Sequence, residues 1–150
     1  RGGDARTLPP VTPLRDPALP GYFYDRIDRQ LALYHDALGL TIPVPSRPKL
    51  EDLRIKRYRM GCDEKFQPHF DAVDEKMNRY MVFLWYLNDV EEGGETIFCD
   101  LGIKVAPRTG RLLMFPPYWM FQHAAPPPVS TDKYISSTYM LFCLAVVSPT

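Results

Sequence analysis

The sequence holds no apolar stretch of membrane-spanning length. Its uninterrupted runs, residues 80–87 among them, are far short of the ~20 residues that a spanning helix needs, so a membrane partner is not expected. It also lacks an excess of charge, because eighteen Lys plus Arg stand against eighteen Asp plus Glu. A neutral chain presents no field to a phosphate backbone, and nucleic acid is not an expected partner either. Cysteine is scarce: Cys62, Cys99 and Cys143 occur without CxxC spacing. Such an odd, unclustered set suits free thiols in a reducing compartment, and hence a cytoplasmic location, better than a disulfide framework, although one bridge can still be drawn. The chain opens on Arg rather than Met, so it reads as a fragment, and a removed signal peptide would be compatible with that. There is no internal repeat and no low-complexity tract. Collagen, coiled coils and mucin-like stalks are thereby excluded.

What is present is a globular composition, 45% hydrophobic and 24% charged over 150 residues, which is enough for one domain with its own core. Sixteen prolines are about twice the usual ~5% share. Five of them, Pro9, Pro10, Pro13, Pro17 and Pro20, mark residues 1–20 as an extended arm, leaving residues 21–150 as the folded domain. Phe23, Ile27, Leu31, Tyr34 and Leu38 recur at steps of three and four, which predicts one amphipathic helix over 21–40 with Gly39 at its end. Pro43, Pro45 and Pro48 then punctuate a loop. Beyond it, strands are expected at 53–59, 80–87, 96–98, 103–105, 111–115, 118–122 and 134–147, with turn signals at Asn88-Asp89, Gly93-Gly94 and Thr109-Gly110. Residues 80–87 do not alternate, so both faces of that strand should be covered. Seven short strands behind one helix make the fold mainly β, a barrel or jelly roll.

Chemistry concentrates around two of the three histidines. In His69-Phe70-Asp71 an imidazole and a carboxylate stand at i and i+2, which in an extended chain project from one face. His123 follows 52 residues after Asp71. Two histidines and one carboxylate on one side of a metal leave the opposite positions open, as in non-haem Fe(II) oxygenases. An HxD pair alone is weak evidence, since a histidine in a strand is more often a hydrogen-bonded structural residue. Lys133 strengthens it. It lies ten residues beyond His123, across Pro126-Pro127-Pro128, a connection expected to return the chain as a neighbouring strand. A lysine at the inner end of a strand is costly to bury without an anion, and a dicarboxylate would supply one.

The segments Arg57-Tyr58-Arg59-Met60-Gly61, Phe66-Gln67-Pro68-His69-Phe70-Asp71, Glu91-Glu92-Gly93-Gly94-Glu95-Thr96 and His123 … Lys133-Tyr134, in this order and spacing, resemble the prolyl 4-hydroxylase-like branch of the 2-oxoglutarate- and Fe(II)-dependent dioxygenases. The likeness runs from about Glu51 to Leu144. It implies a double-stranded β-helix, a jelly roll with a supporting amino-terminal helix, and iron held by His69, Asp71 and His123. It further implies that Lys133 pairs with the far carboxylate of 2-oxoglutarate, and that the Tyr58 hydroxyl touches the same cosubstrate. The cofactors implied are Fe(II), 2-oxoglutarate and dioxygen, with ascorbate as an accessory reductant. The implied reaction is hydroxylation of an unactivated C–H bond in a prolyl residue of a peptide or protein, or in a free amino acid of similar shape. A metal-binding jelly roll that is non-catalytic, or acts on another substrate, is the alternative.

Several residues deserve separate expectations. Strict alternation from Leu53 and Ile55 puts Tyr58 on the face of Arg54 and Lys56, away from the apolar side, and a bulge would reconcile it with the cosubstrate. Thr131-Asp132 replaces the glycine that usually precedes the family lysine, which puts an acid beside Lys133. Phe66 stands where the family often has Tyr. Gly93 and Gly94 are expected at positive φ with the flanking acids solvated, rather than as a calcium loop. Tyr118, Trp119 and Phe121 should be core or pocket wall. His35 should be structural, and Cys99 is a candidate thiol near the site.

Overall fold

The computed structural model describes residues 11–12, 18–39 and 49–142. In chain order these form β1 (Val11–Thr12), α1 (Ala18–Leu38), β2 (Lys49–Leu50), β3 (Arg54–Tyr58), β4 (Phe66–His69), β5 (Arg79–Tyr86), β6 (Thr96–Phe98), β7 (Ile103–Val105), β8 (Leu112–Phe115), β9 (His123–Ala125) and β10 (Lys133–Leu141). Two antiparallel sheets face each other. The larger runs β1-β3-β10-β5-β8, with β2 continuing along β10, and the smaller runs β4-β9-β6-β7. This is the expected jelly roll. No helix among the described residues is long and apolar enough to cross a membrane.

The helix begins at Ala18, three residues before its expected start, so Pro20 belongs to the helix and not to an arm. A proline is tolerated there because the first-turn N–H groups have no intrahelical acceptor. At the other end Gly39 takes φ +59° and donates its N–H to the Asp36 carbonyl at 3.2 Å, the left-handed stop that glycine provides without strain. Phe23, Ile27 and Leu31 are buried against Leu53, Met81, Phe83, Trp85 and Met140. Each such side chain contributes roughly 1.5–3 kcal/mol by leaving water. Residues 1–10 and 13–17 of the arm, with Pro43, Pro45, Pro48 and Cys143, lie outside the described residues, whereas Val11–Thr12 pair with β3. Cys62 and Cys99 are free thiols, and Cys99 is exposed. His35 is structural: its Nε2 lies 3.0 Å from the Tyr80 hydroxyl.

β5 explains why two faces matter. Met81, Phe83 and Trp85 point to the helix, whereas Val82, Leu84 and Tyr86 line the space between the sheets. A central strand covered on both sides therefore reads as an unbroken apolar run, as expected. β10 obeys the same alternation, with Lys133, Ile135, Ser137 and Tyr139 turned inward.

Two expectations fail. Residues 118–122 are not a strand: Trp119–Phe121 form a single 3-10 turn. Pro116 and Pro117 precede it and have no N–H to give a ladder, and the Pro117 carbonyl instead accepts the backbone N–H groups of Asp71 and Ala72, each at 3.0 Å. Trp119 is 70% exposed and is neither core nor pocket wall, although Phe121 packs against Val82, Phe98 and Phe115. Nor does the connection after His123 return a neighbouring strand. β9 and β10 lie in different sheets, and the triple proline carries the chain across.

That crossing is clamped by the Gly-Gly turn. Gly93 and Gly94 take φ +75° and +71°, as expected, and Gly94 N–H donates to the Pro127 carbonyl at 3.2 Å while the Glu92 carbonyl accepts Val129 N–H at 2.8 Å. Of the acids, Glu92 is solvated but Glu91 pairs with Arg108. A Cβ on Gly93 would stand 2.5 Å from the Pro127 oxygen. Gly93→Ala should therefore destabilise the protein by at least ~2 kcal/mol, from left-handed strain plus that collision. Thermal unfolding should show a Tm lower by roughly 5 °C, and an unchanged Tm would mean that the turn adjusts freely.

Candidate metal centre

The smaller sheet brings the two histidines side by side. β4 and β9 pair antiparallel with His69 opposite His123, and their rings are 4.4 Å apart between centroids. In each, the same local device fixes the ring. His69 Nδ1 is 2.8 Å from the Gln67 carbonyl, and His123 Nδ1 is 3.0 Å from the Phe121 carbonyl. A carbonyl at that distance accepts a hydrogen bond from Nδ1–H, which leaves both Nε2 lone pairs for a ligand. Asp71 follows two residues after the end of β4, held by its N–H on Pro117 and by its own carbonyl, which accepts from Arg79 at 3.1 Å.

The carboxylate stands between the two rings: His69 Nε2 is 3.6 Å from Oδ1 and His123 Nε2 is 3.7 Å from Oδ2. One donor atom from each of the three residues lies within 4.8 Å of the other two. At these separations the nitrogens and oxygens are too far apart for good hydrogen bonds but surround a point that a divalent cation can share, leaving one side open. The donor set, two imidazoles and a carboxylate, fits Fe(II). Burial pushes the Asp71 carboxyl up, but His69 and His123 outweigh it and hold it below the ordinary carboxylate value. Burial lowers His123. For His69 the same desolvation is overcome by Asp71 and the Gln67 carbonyl, and its value is raised. The Tyr139 hydroxyl donates to Asp71 Oδ1 at 3.3 Å. Arg79, paired with Glu51 at 2.7 Å, stacks over the Tyr139 ring at 3.5 Å.

The triad opens into a cavity of about 930 Å³ between the sheets. Its far end is built by Lys133, Tyr58, Tyr86 and Thr96. Lys133 is 2% exposed; its Nζ donates to the Gly94 carbonyl at 2.9 Å and lies 4.2 Å from the Tyr58 ring centre. Burial pushes this ammonium down to about 8, against a weaker pull from Glu95. Tyr86 and Thr96 share a hydrogen bond of 2.6 Å, and burial pushes the Tyr58 phenol up, so it stays a donor. A buried cation among hydroxyls thus shares one cavity with three side chains that could hold a metal.

Tyr58 reaches this place without a bulge. β3 pairs with β10 in unbroken register, Tyr58 opposite Lys133 and Lys56 opposite Ile135. The alternation expected from the sequence holds, but the face carrying Arg54, Lys56 and Tyr58 is the inner one, because the apolar Leu53 serves the helix. Asp132 does not compete for Lys133. It pairs with Arg57 at 2.7 Å and accepts Met60 N–H at 2.8 Å, pointing away along the rim. Phe66 lies between the two ends, 6.0 Å from Tyr58 and 5.0 Å from His69 between ring centres. Cys99 is exposed and is not among the residues lining the cavity. Tyr139, Arg79 and Lys56 had no place in the sequence-based site. The inward polar alternation of β3 was the signal for Lys56, whereas nothing local marked Tyr139.

Comparison with known proteins agrees with this geometry. A family model described as the 2OG-Fe(II) oxygenase superfamily matches residues 53–141. The chain is 31% identical over 118 residues to prolyl 4-hydroxylase subunit alpha-2 of Gallus gallus, covering 67% of this chain and 20% of that protein. It is 38% identical over 72 residues to probable prolyl 4-hydroxylase 11 of Arabidopsis thaliana, covering 43% and 24%. The chain thus spans about a fifth to a quarter of the length of these relatives. Among solved structures, the 2-oxoglutarate complex of a viral collagen prolyl hydroxylase from Paramecium bursaria Chlorella virus-1 superposes with a TM-score of 0.62 at 25% identity, covering 80% of this chain and 73% of that one.

Proposed function

Since the chain belongs to the 2OG-Fe(II) oxygenase superfamily, we propose that it hydroxylates an unactivated C–H bond, of a prolyl residue in a peptide or protein or of a free amino acid of similar shape. The observation that carries this reading is the pairing of two sites in one cavity: three convergent metal-ligand side chains at one end and a buried lysine at the other. His69, Asp71 and His123 would hold Fe(II), and Lys133 with Tyr58 would hold the far carboxylate of 2-oxoglutarate. When bound, the metal and cosubstrate supply the oxidising chemistry, in which 2-oxoglutarate, dioxygen and the substrate C–H give succinate, carbon dioxide and the alcohol.

The chain's own residues orient and enclose. The Gln67 and Phe121 carbonyls keep the imidazole Nδ1 protons and so present Nε2 to the metal. Tyr139 and the Arg79 stack steady the Asp71 carboxylate. Val82, Leu84, Phe115 and Ile135 line the interior with carbon and limit the water that would otherwise quench a reactive centre. The completeness of this set argues against a non-catalytic metal-binding module.

The direct test incubates the protein with Fe(II), 2-oxoglutarate, ascorbate and a proline-rich peptide, and follows succinate and peptide mass. Gain of one oxygen atom on proline, dependent on 2-oxoglutarate, is expected; neither succinate nor oxygenated peptide would contradict the reading. A pH dependence also follows. The free Lys133 ammonium titrates at about 8, and only its charged form pairs with a carboxylate. Affinity for 2-oxoglutarate should be level below about pH 7 and fall about tenfold between pH 7 and pH 9. A flat profile over that interval would show that another cation holds the cosubstrate.

A further inference from the structure

The cavity contains cations that the proposed reaction does not use. Lys56, two residues before Tyr58 on the inner face of β3, points between Phe66 and the metal-ligand side chains. It is half-buried and, among the described residues, makes no hydrogen bond or ion pair; the carboxylate that acts on it is Asp71, which the proposed metal would engage. Its ring contact is Phe66, whose centre is 5.2 Å from Nζ. The inward residue before it, Arg54, is exposed at the mouth of the cavity and makes no ion pair among the described residues. The other inner cations are matched: Lys65 with Asp63 at 2.7 Å, Arg79 with Glu51 and Lys133 with the Gly94 carbonyl. Lys76 is exposed at the lip. Opposite Arg54 across the ladder lies Ser137, 4% exposed and facing the same cavity. Its Oγ is buried with no hydrogen-bond partner, which a polar group rarely tolerates without a ligand or water.

Charge accounting gives these groups a purpose. With Fe(II), the Asp71 carboxylate, the Lys133 ammonium and a dianionic cosubstrate in place, the interior is neutral before Lys56 and Arg54 are counted. The Lys56 charge is then uncompensated in a largely enclosed site, where an unpaired charge is expensive. Burial already pushes its ammonium below the ordinary lysine value. Lys56 lines the same cavity as His69, His123 and Lys133.

We infer that Lys56, with Arg54 and the Ser137 hydroxyl, forms a subsite for a carboxylate on the substrate, so that the enzyme selects substrates whose reacting residue carries or adjoins an anion. This rests on the reading of the cavity as an Fe(II) and 2-oxoglutarate site. The carboxylate has two sources, the substrate's own terminus or an acidic neighbour in a peptide. The Lys56 ammonium and the Ser137 hydroxyl would both donate to it, and the aliphatic stem of Lys56 would lie along Phe66.

The test is equilibrium binding, measured anaerobically by calorimetry on protein loaded with Fe(II) and 2-oxoglutarate. Two matched pairs serve as probes: N-acetylproline against N-acetylprolinamide, and a proline peptide with Glu beside the proline against the same peptide with Gln. Wild type should prefer the charged member of at least one pair by ~10-fold or more, the range of a charge-assisted hydrogen bond. Preference in the first pair places the anion on the substrate's terminus, and preference in the second places it on a neighbouring side chain. Lys56→Met, which keeps the stem, should abolish that preference, Lys56→Arg should restore most of it, and Ser137→Ala should reduce it several-fold. No preference in either pair, or a preference that survives Lys56→Met, overturns the inference. So does a tenfold loss of 2-oxoglutarate affinity in Lys56→Met, since Lys56 would then serve the cosubstrate. Failure of wild type to take up Fe(II) and 2-oxoglutarate would instead remove the reading beneath it, and the loading titration detects that separately.

Discussion

The His69→Ala protein is expected to fold normally and to lose Fe(II). The side chain is 29% exposed and outside the main apolar clusters, so its truncation leaves a small defect at the rim. The metal, however, loses one of three protein ligands. Loss of an outer-shell partner alone typically lowers metal affinity ~10–100-fold, and removal of a direct ligand should exceed that. Asp71→Ala should be at least as severe, because it removes the one anionic ligand and leaves only neutral imidazoles. His123→Ala is a less clean test, since its ring packs on Phe115 at 4.9 Å and on Phe98 at 6.0 Å. Metal titration beside thermal unfolding separates binding from stability. Fe(II) affinity within threefold of wild type in His69→Ala and Asp71→Ala would mean that the metal lies elsewhere.

The second large effect belongs to Lys133. In Lys133→Met the stem still fills its place against Tyr58 and Gly94, and the charge is gone. A dicarboxylate entering that end would meet the Tyr58, Tyr86 and Thr96 hydroxyls but no cation, a loss expected to reach ~3–5 kcal/mol of binding free energy. Iron affinity should barely change, since the triad is untouched. Asp132 does not blunt the effect, being committed to Arg57 and Met60 N–H. Stability should move the other way or not at all. Lys133 titrates at about 8 in the folded protein against 10.5 ordinarily, so folding releases protons between those values. Its charge therefore opposes folding below pH 8, and that opposition fades as pH rises toward 10.5. Removing it relieves the opposition, while the Gly94 carbonyl loses its donor. An unchanged 2-oxoglutarate dissociation constant in Lys133→Met would transfer the cosubstrate role to Lys56 and contradict the assignment.

His123, 52 residues after Asp71 and beyond an expected strand that did not form, was placed at the site by the family resemblance. His69 and Asp71 were legible from their local HxD spacing. The long apolar run of β5 and the Gly-Gly turn were legible for the same reason, since each states a demand of its own backbone or burial. Tyr58 shows where such reading stops. Alternation along β3 was assigned correctly, but which face turns inward depends on α1, which draws Leu53 to its side and leaves the polar face to the cavity. Strand polarity is a property of the layer that covers it, not of the strand. The segment 118–122 failed on a different point: its aromatics suit a strand, yet two preceding prolines remove the donors that a strand needs, and Pro117 is used instead to anchor Asp71. The pairing of Arg79 with Glu51, 28 residues apart, and of Tyr139 with Asp71, 68 apart, carries no local trace.

The central claim is that one cavity binds Fe(II) at His69, Asp71 and His123 and 2-oxoglutarate between that metal and Lys133. Anaerobic titration with Fe(II) followed by 2-oxoglutarate, read as the weak visible metal-to-ligand band, tests it most directly. The account predicts that the band grows to saturation at one equivalent of each and is absent in Asp71→Ala. In Lys133→Met it should require far more 2-oxoglutarate. A band that never forms in the wild-type protein, or one that forms equally in all three proteins, would contradict it.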